Sequence, residues 1–142
     1  DIGAVVHAHP RHVVILVSQE KDYGPFLPVT GEAVWFVKPL NTARPIPIVA
    51  NLDPEPLAKA VSEVITTTNV VAIRNHGIVT VGKDIQEATA AALVTEEEAA
   101  IICGIVWMGG KPTYLSAEKI RHELANMPPW FSKPFKKNPS SE

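Results

Sequence analysis

His7 and His9 stand one residue apart in the apolar run "VVHAHPRHVV" (Val5–Val14), and His76 stands before Gly77 in "RNHG". On a strand, residues i and i+2 point to the same side with Cα atoms about 6.5–7 Å apart. Two imidazoles at that separation can lean onto one ion at about 2.0–2.1 Å, leaving positions for another side chain, water or a substrate. Two ligands do not make a site. His76 is the natural third, because a backbone reversal beside Gly77 can push its ring into a cleft. On a strand, His12 would face away from His7 and His9 and reads as a supporting or packing group. His122, between Arg121 and Glu123, reads as a solvated surface residue.

The elements that must carry these residues are mixed strand and helix. Ile2 to Val17 is β-branched and apolar, which predicts two buried strand segments or one element bent at Pro10. "SQEKDYGPFLPVTG" has the Gly, Pro and charge of a surface loop, and "EAVWFV" reads as a short strand. The proline-dense "KPLNTARPIPIVANLDPEP" is expected to cross the surface in extended form, with regular structure resuming after Leu52. Asp53 and Pro54 then open a helix, with the Asp53 carboxylate available to the orphan amides, and "LAKAVSEVI" supplies its apolar face. "VVAIR" and "IVTVG" are predicted as two strands joined around His76. Asp84 to Met108 is the longest periodic segment, a helix stopped by Gly109 and Gly110. Glu96, Glu97 and Glu98 cannot all share one face of it; at least one must face solvent, and solvent is the default reading for all three. A short helix capped by Ser116 follows, then a Pro- and Lys-containing tail.

Composition narrows the function classes. A chain of 142 residues with 46% apolar content fits one domain, and a net charge of −2 gives no footprint for nucleic acid or an anionic membrane. Cys103, the single cysteine, lies in "AAIICGIVW"; it excludes an internal disulfide, suits a reducing compartment and reads as core packing. No apolar stretch has the length of a membrane span, and no charged segment precedes a short apolar one, so the expected location is cytoplasmic. There is no initiator Met, and "DIGAVVHAHP" enters strand-like sequence directly, which is expected of a cut chain.

"HAHP" at His7–Pro10, "NHG" at Asn75–Gly77 and a long Ala- and Glu-rich helix ending in "MGGKP" together resemble the class II aldolase and adducin family. The resemblance runs from Asp1 to about His122. It implies an α/β fold, a three-layer α/β/α arrangement around a largely antiparallel sheet. Residues 1–126 would form the domain, lacking the family's usual N-terminal segment, and 127–142 the tail. It also implies that His7, His9 and His76 bind a divalent ion, usually Zn2+, with Mn2+, Co2+ or Fe2+ also compatible with three imidazoles.

The activity implied is retro-aldol cleavage of a sugar phosphate of the L-fuculose 1-phosphate type to a ketose phosphate and an aldehyde. Epimerisation of the L-ribulose 5-phosphate kind is the alternative, and a non-catalytic adducin-like association module is another, disfavoured by the presence of all three histidines. Cleaving the carbon–carbon bond beta to a carbonyl leaves an enediolate with negative charge on oxygen, and three neutral imidazoles keep the full +2 charge on an ion beside it. Asp1 is the one acidic residue before His7, and nothing puts it in the family's base position, so no general base or phosphate loop is assigned. Family members form homotetramers with sites between subunits, and some use a neighbour's tyrosine. Tyr23 and Tyr114 are the possible counterparts, with packing as their default role, and Trp130, Phe131 and Phe135 are candidates to cover a neighbour.

Overall fold

A run of β-branched residues near each end of the first 82 positions sets the sheet, with helices between and after the strands. The computed structural model describes residues 2–19 and 26–129. Its elements are β1 (Ala4–Ala8), α1 (Arg11–Val17), α2 (Ala33–Phe36), α3 (Lys38–Asn41), β2 (Ile48–Val49), α4 (Pro54–Ile65), β3 (Val70–Ile73), β4 (Gly77–Gly82), α5 (Ile85–Trp107) and α6 (Ala117–Ala125).

One sheet holds the strands in the order β1-β4-β3-β2. Two of its pairings are antiparallel, β1 with β4 and β3 with β4, and β2 joins β3 in parallel. The sheet is therefore largely antiparallel. Every residue of β3 is buried, so both faces of the sheet are covered at that strand. Val70, Ala72 and Ile78 join the main core with Val13 and Val17 of α1 and Ala91, Ala92, Ala99 and Ile102 of α5. Val71 and Ile73 alternate with them and are buried on the other side, where α4 packs against β2 and β3.

Helix ends obey the local signals where those signals are strong. Asp84 accepts from the Glu87 amide at 2.8 Å to start α5, and Ser116 accepts from the Lys119 amide at 3.2 Å to start α6. Gly109, at φ 80°, takes the chain out of α5 in the left-handed conformation. α4 starts at Pro54 as expected, although the Asp53 carboxylate makes no capping bond.

Three expectations are corrected. Arg11–Val17 is a helix, not the second half of a strand. Val13 and Val17, four apart and both fully buried, turn one face to the core, and burial of that size, about 1.5–3 kcal/mol per side chain, outweighs a β-branched preference of tenths. The predicted strand "EAVWFV" is instead the helical turn α2, closed by bonds from Val34 to Gly31 and from Val37 to Ala33 and tied to α6 by Trp35 Nε1 donating to Glu123 O. The proline-dense segment contains regular structure before Leu52, namely α3 with Pro39 in its first turn and the short strand β2.

Candidate metal centre

β1 alternates between the core and the outside, with Val6 and Ala8 packed inward and Val5 and His7 exposed. Its register pairs His7 with Val79 and Ala8 with Ile78, so the chain leaves β1 beside the turn joining β3 to β4. His9 lies just past that exit, and His76 is on the turn itself. The turn holds its shape through Asn75, at φ 55°, where a short polar side chain tolerates the left-handed region, and through the His76 amide donating to Ile73 O at 3.1 Å. A Cβ at Gly77 would lie 2.2 Å from Ala8 O and 2.8 Å from His9 Cδ2, so glycine is what lets β1 and the His9 ring approach.

The three imidazoles meet. Ring centroids are 4.8 Å apart for His7 and His9, 5.1 Å for His7 and His76, and 4.8 Å for His9 and His76. One nitrogen from each ring lies within 4.8 Å of the other two, and among the described residues this is the group of His, Cys, Asp or Glu side chains spaced to hold an ion. His7 Nδ1 donates to Ile78 O at 2.9 Å, which leaves its Nε2 as a lone pair, 3.1 Å from His9 Nε2. That separation is near the edge, about 3.3 Å, of a tetrahedron built on 2.0–2.1 Å bonds. His76 Nδ1 is 3.3 Å from Asn51 Oδ1, so its Nε2 is also available to an ion. Burial, followed by the nearby His9 and His7, holds the His76 imidazolium below its ordinary pKa and favours the neutral ring that metals bind. The donor set fits a divalent ion of the zinc type.

His12 lies elsewhere. It sits on α1, not on a strand facing away from His7 and His9, and its Nδ1 is 2.8 Å from Glu96 Oε1. The same carboxylate accepts from the amides of His12 at 3.0 and 3.1 Å and of Val13 at 3.1 Å, so α5 caps α1. Glu98 is buried and accepts from the Val29 amide at 2.7 Å, the Thr30 amide at 3.2 Å and the Thr30 hydroxyl. Burial pushes its carboxyl above the ordinary value against those bonds. Of the three glutamates only Glu97 is exposed, which corrects the solvated reading of the other two.

Cys103 is partly buried with Sγ 3.8 Å from His12 O, and Tyr114 packs against the core, both as expected of packing residues. His122 is exposed. Asp1, Tyr23, Trp130, Phe131 and Phe135 lie outside the described residues. Asn51 and Glu96 are the contacts sequence reasoning missed. "EEE" on a predicted helix pointed to Glu96 without its target, and no local signal marks Asn51.

Residues 1–103 match the sequence model described as the class II aldolase and adducin N-terminal domain. The fold resembles an L-fuculose 1-phosphate aldolase at 19% identity and TM-score 0.70, over 88% of this chain and 55% of that one. It also resembles the L-fuculose-1-phosphate aldolase of Thermus thermophilus at 26% identity and TM-score 0.61, over 77% and 56%. YgbL of Escherichia coli, named only as a candidate aldolase, epimerase or decarboxylase, aligns at 24% identity and TM-score 0.64, over 83% and 55%. The chain thus spans about half the length of these structures. A search of curated proteins finds no match.

Proposed function

The chain belongs to the class II aldolase and adducin family, and from that premise we propose that it is the metal-binding part of a divalent-metal-dependent, aldolase-type lyase acting on a sugar phosphate. The observation that carries this reading is the convergence of His7, His9 and His76, with Nδ1 of His7 and His76 facing an acceptor and Nε2 left for an ion. An ion held there supplies Lewis-acid stabilisation of the negative charge that develops on the substrate oxygens as the carbon–carbon bond opens. The protein's part is to keep three neutral donors in place and one side of the cluster accessible, which the exposure of His7 and His9 provides.

Among the described residues no carboxylate joins the cluster, and no general base is assigned. The substrate class follows the fuculose-phosphate aldolases to which the fold is similar, with 4-epimerisation of a pentulose phosphate as the alternative, since YgbL is described more broadly. An adducin-like association module would need no such cluster. We also propose a cytoplasmic homo-oligomer, a tetramer by the family's pattern; Trp107 at 91% and Met108 at 82% exposure mark an apolar end of α5 suited to a neighbour. No helix among the described residues is long and apolar enough to cross a membrane.

Elemental mass spectrometry with native mass on the same sample tests the reading. About one divalent ion per chain is expected, and His76→Ala should lose most of the metal affinity with an unchanged circular dichroism spectrum. Full metal content in that folded variant would defeat it. Retro-aldol assays on ketose 1-phosphates then address the substrate.

A further inference from the structure

An imidazole offers a metal one nitrogen, and the partner of the other nitrogen decides which. His7 is fixed by the backbone: its Nδ1 donates to Ile78 O on the paired strand, a partner that no side-chain substitution removes. His76 differs. Its Nδ1 faces a side chain, Asn51 Oδ1 at 3.3 Å, which arrives from 25 positions earlier in the chain.

The sheet brings Asn51 there. β2 pairs in parallel with β3, Ile48 with Ala72 and Val49 with Ile73, and the Arg74 amide extends the ladder by donating to Val49 O at 2.9 Å. Two residues past Val49, the chain is therefore level with the turn that carries His76. Asn51 is exposed, so packing in the core does not explain its position. Its amide oxygen can only accept. The pair therefore places the hydrogen on His76 Nδ1 and leaves the Nε2 lone pair for an ion.

We infer that Asn51 is a positioning residue for the candidate metal centre, selecting the tautomer and ring orientation through which His76 presents Nε2. The inference rests on the proposed metal-binding role of the three histidines. It makes β2, two residues long, part of the site's support, and it makes His76 the ligand whose orientation a single surface substitution can change.

Cobalt(II) titration of the full chain, followed by visible absorption, compares the wild type with Asn51→Ala, Asn51→Asp and His76→Ala. Asn51→Ala should weaken cobalt affinity about 10–100-fold with stoichiometry kept, the usual cost of losing a partner behind a metal-binding histidine. Asn51→Asp, which keeps an acceptor, should bind as tightly as the wild type or more so. NMR of the His76 ring nitrogens in the metal-free protein should show the Nδ1–H tautomer in the wild type and a mixed population in Asn51→Ala. A general structural role would move neither the tautomer nor the Asp rescue. Wild-type affinity in Asn51→Ala with loss in His76→Ala overturns the role of Asn51 and leaves the metal centre standing. Wild-type affinity in His76→Ala as well overturns both.

Discussion

A methyl group added at Gly77 would point at the Ala8 carbonyl and the edge of the His9 ring, at 2.2 and 2.8 Å. The first of these is backbone in a paired strand and cannot swing aside, so Gly77→Ala must part β1 from β4 at that point or drive His9 out of the cluster. Overpacking of this kind costs about 1–3 kcal/mol, and metal affinity should fall at least as far as in Asn51→Ala. Thermal denaturation and cobalt titration of Gly77→Ala check both; wild-type values would show that the His9 ring is not held by this contact. The meeting of His7, His9 and His76 was legible in part at this scale: His7 lies on β1 as the strand reading required and His76 on a glycine turn, whereas His9 lies just past the strand's end and reaches the cluster beside Gly77. Asn51 was not, since its contact depends on how β2 registers against β3, and Ile48 and Val49 look no different from any short apolar pair.

α5 sends two carboxylates from one turn to two different places. Glu96 supplies the cap that α1 lacks, since Pro10 at its N-cap position makes no side-chain bond to the first turn. Glu96→Ala should therefore destabilise the chain by about 1–3 kcal/mol, a cap loss compounded by unpaired amides, measured by urea denaturation; a change below about 0.5 kcal/mol, the level of an ordinary surface substitution, would mean that water replaces it freely. Glu98 ties residues 29 and 30 to the same helix and has a raised pKa caused first by burial. A raised folded-state value means the folded chain holds the proton more tightly than the unfolded one. The stabilising contribution is thus full below the ordinary carboxyl pKa and is lost as pH rises through the raised one. The stability of the wild type relative to Glu98→Gln, which does not titrate, should therefore fall as pH rises from below the ordinary carboxyl range to above it, read by urea denaturation at each pH. A relative stability that climbs over the same range would reverse the assignment. Element ends were readable where a cap or glycine announced them, as at Asp84, Gly109 and Ser116. They were unreadable across residues 11–17 and 33–41, where short apolar runs take their conformation from the core they meet.

For the molecule as a whole, the β3–β4 hairpin could be read from two β-branched runs around a glycine, but the strand order could not. β1 crosses nearly half the chain to reach its partner, with His7 bonding Ile78 at 71 positions' remove. That separation has a kinetic meaning. The hairpin can close in about 1–10 μs, whereas docking β1 carries the closure entropy of a long loop, so β1 should join after the main folding barrier. An ion bridging His7 and His9 to His76 then finds its complete set of donors only beyond that barrier. It should slow unfolding while leaving the refolding rate nearly unchanged, which stopped-flow measurements with and without zinc can read directly; faster refolding with zinc would place β1 in the folding nucleus instead. With an ion bound, the histidine cluster would act as a latch on the native state and would play no part in guiding the chain toward it.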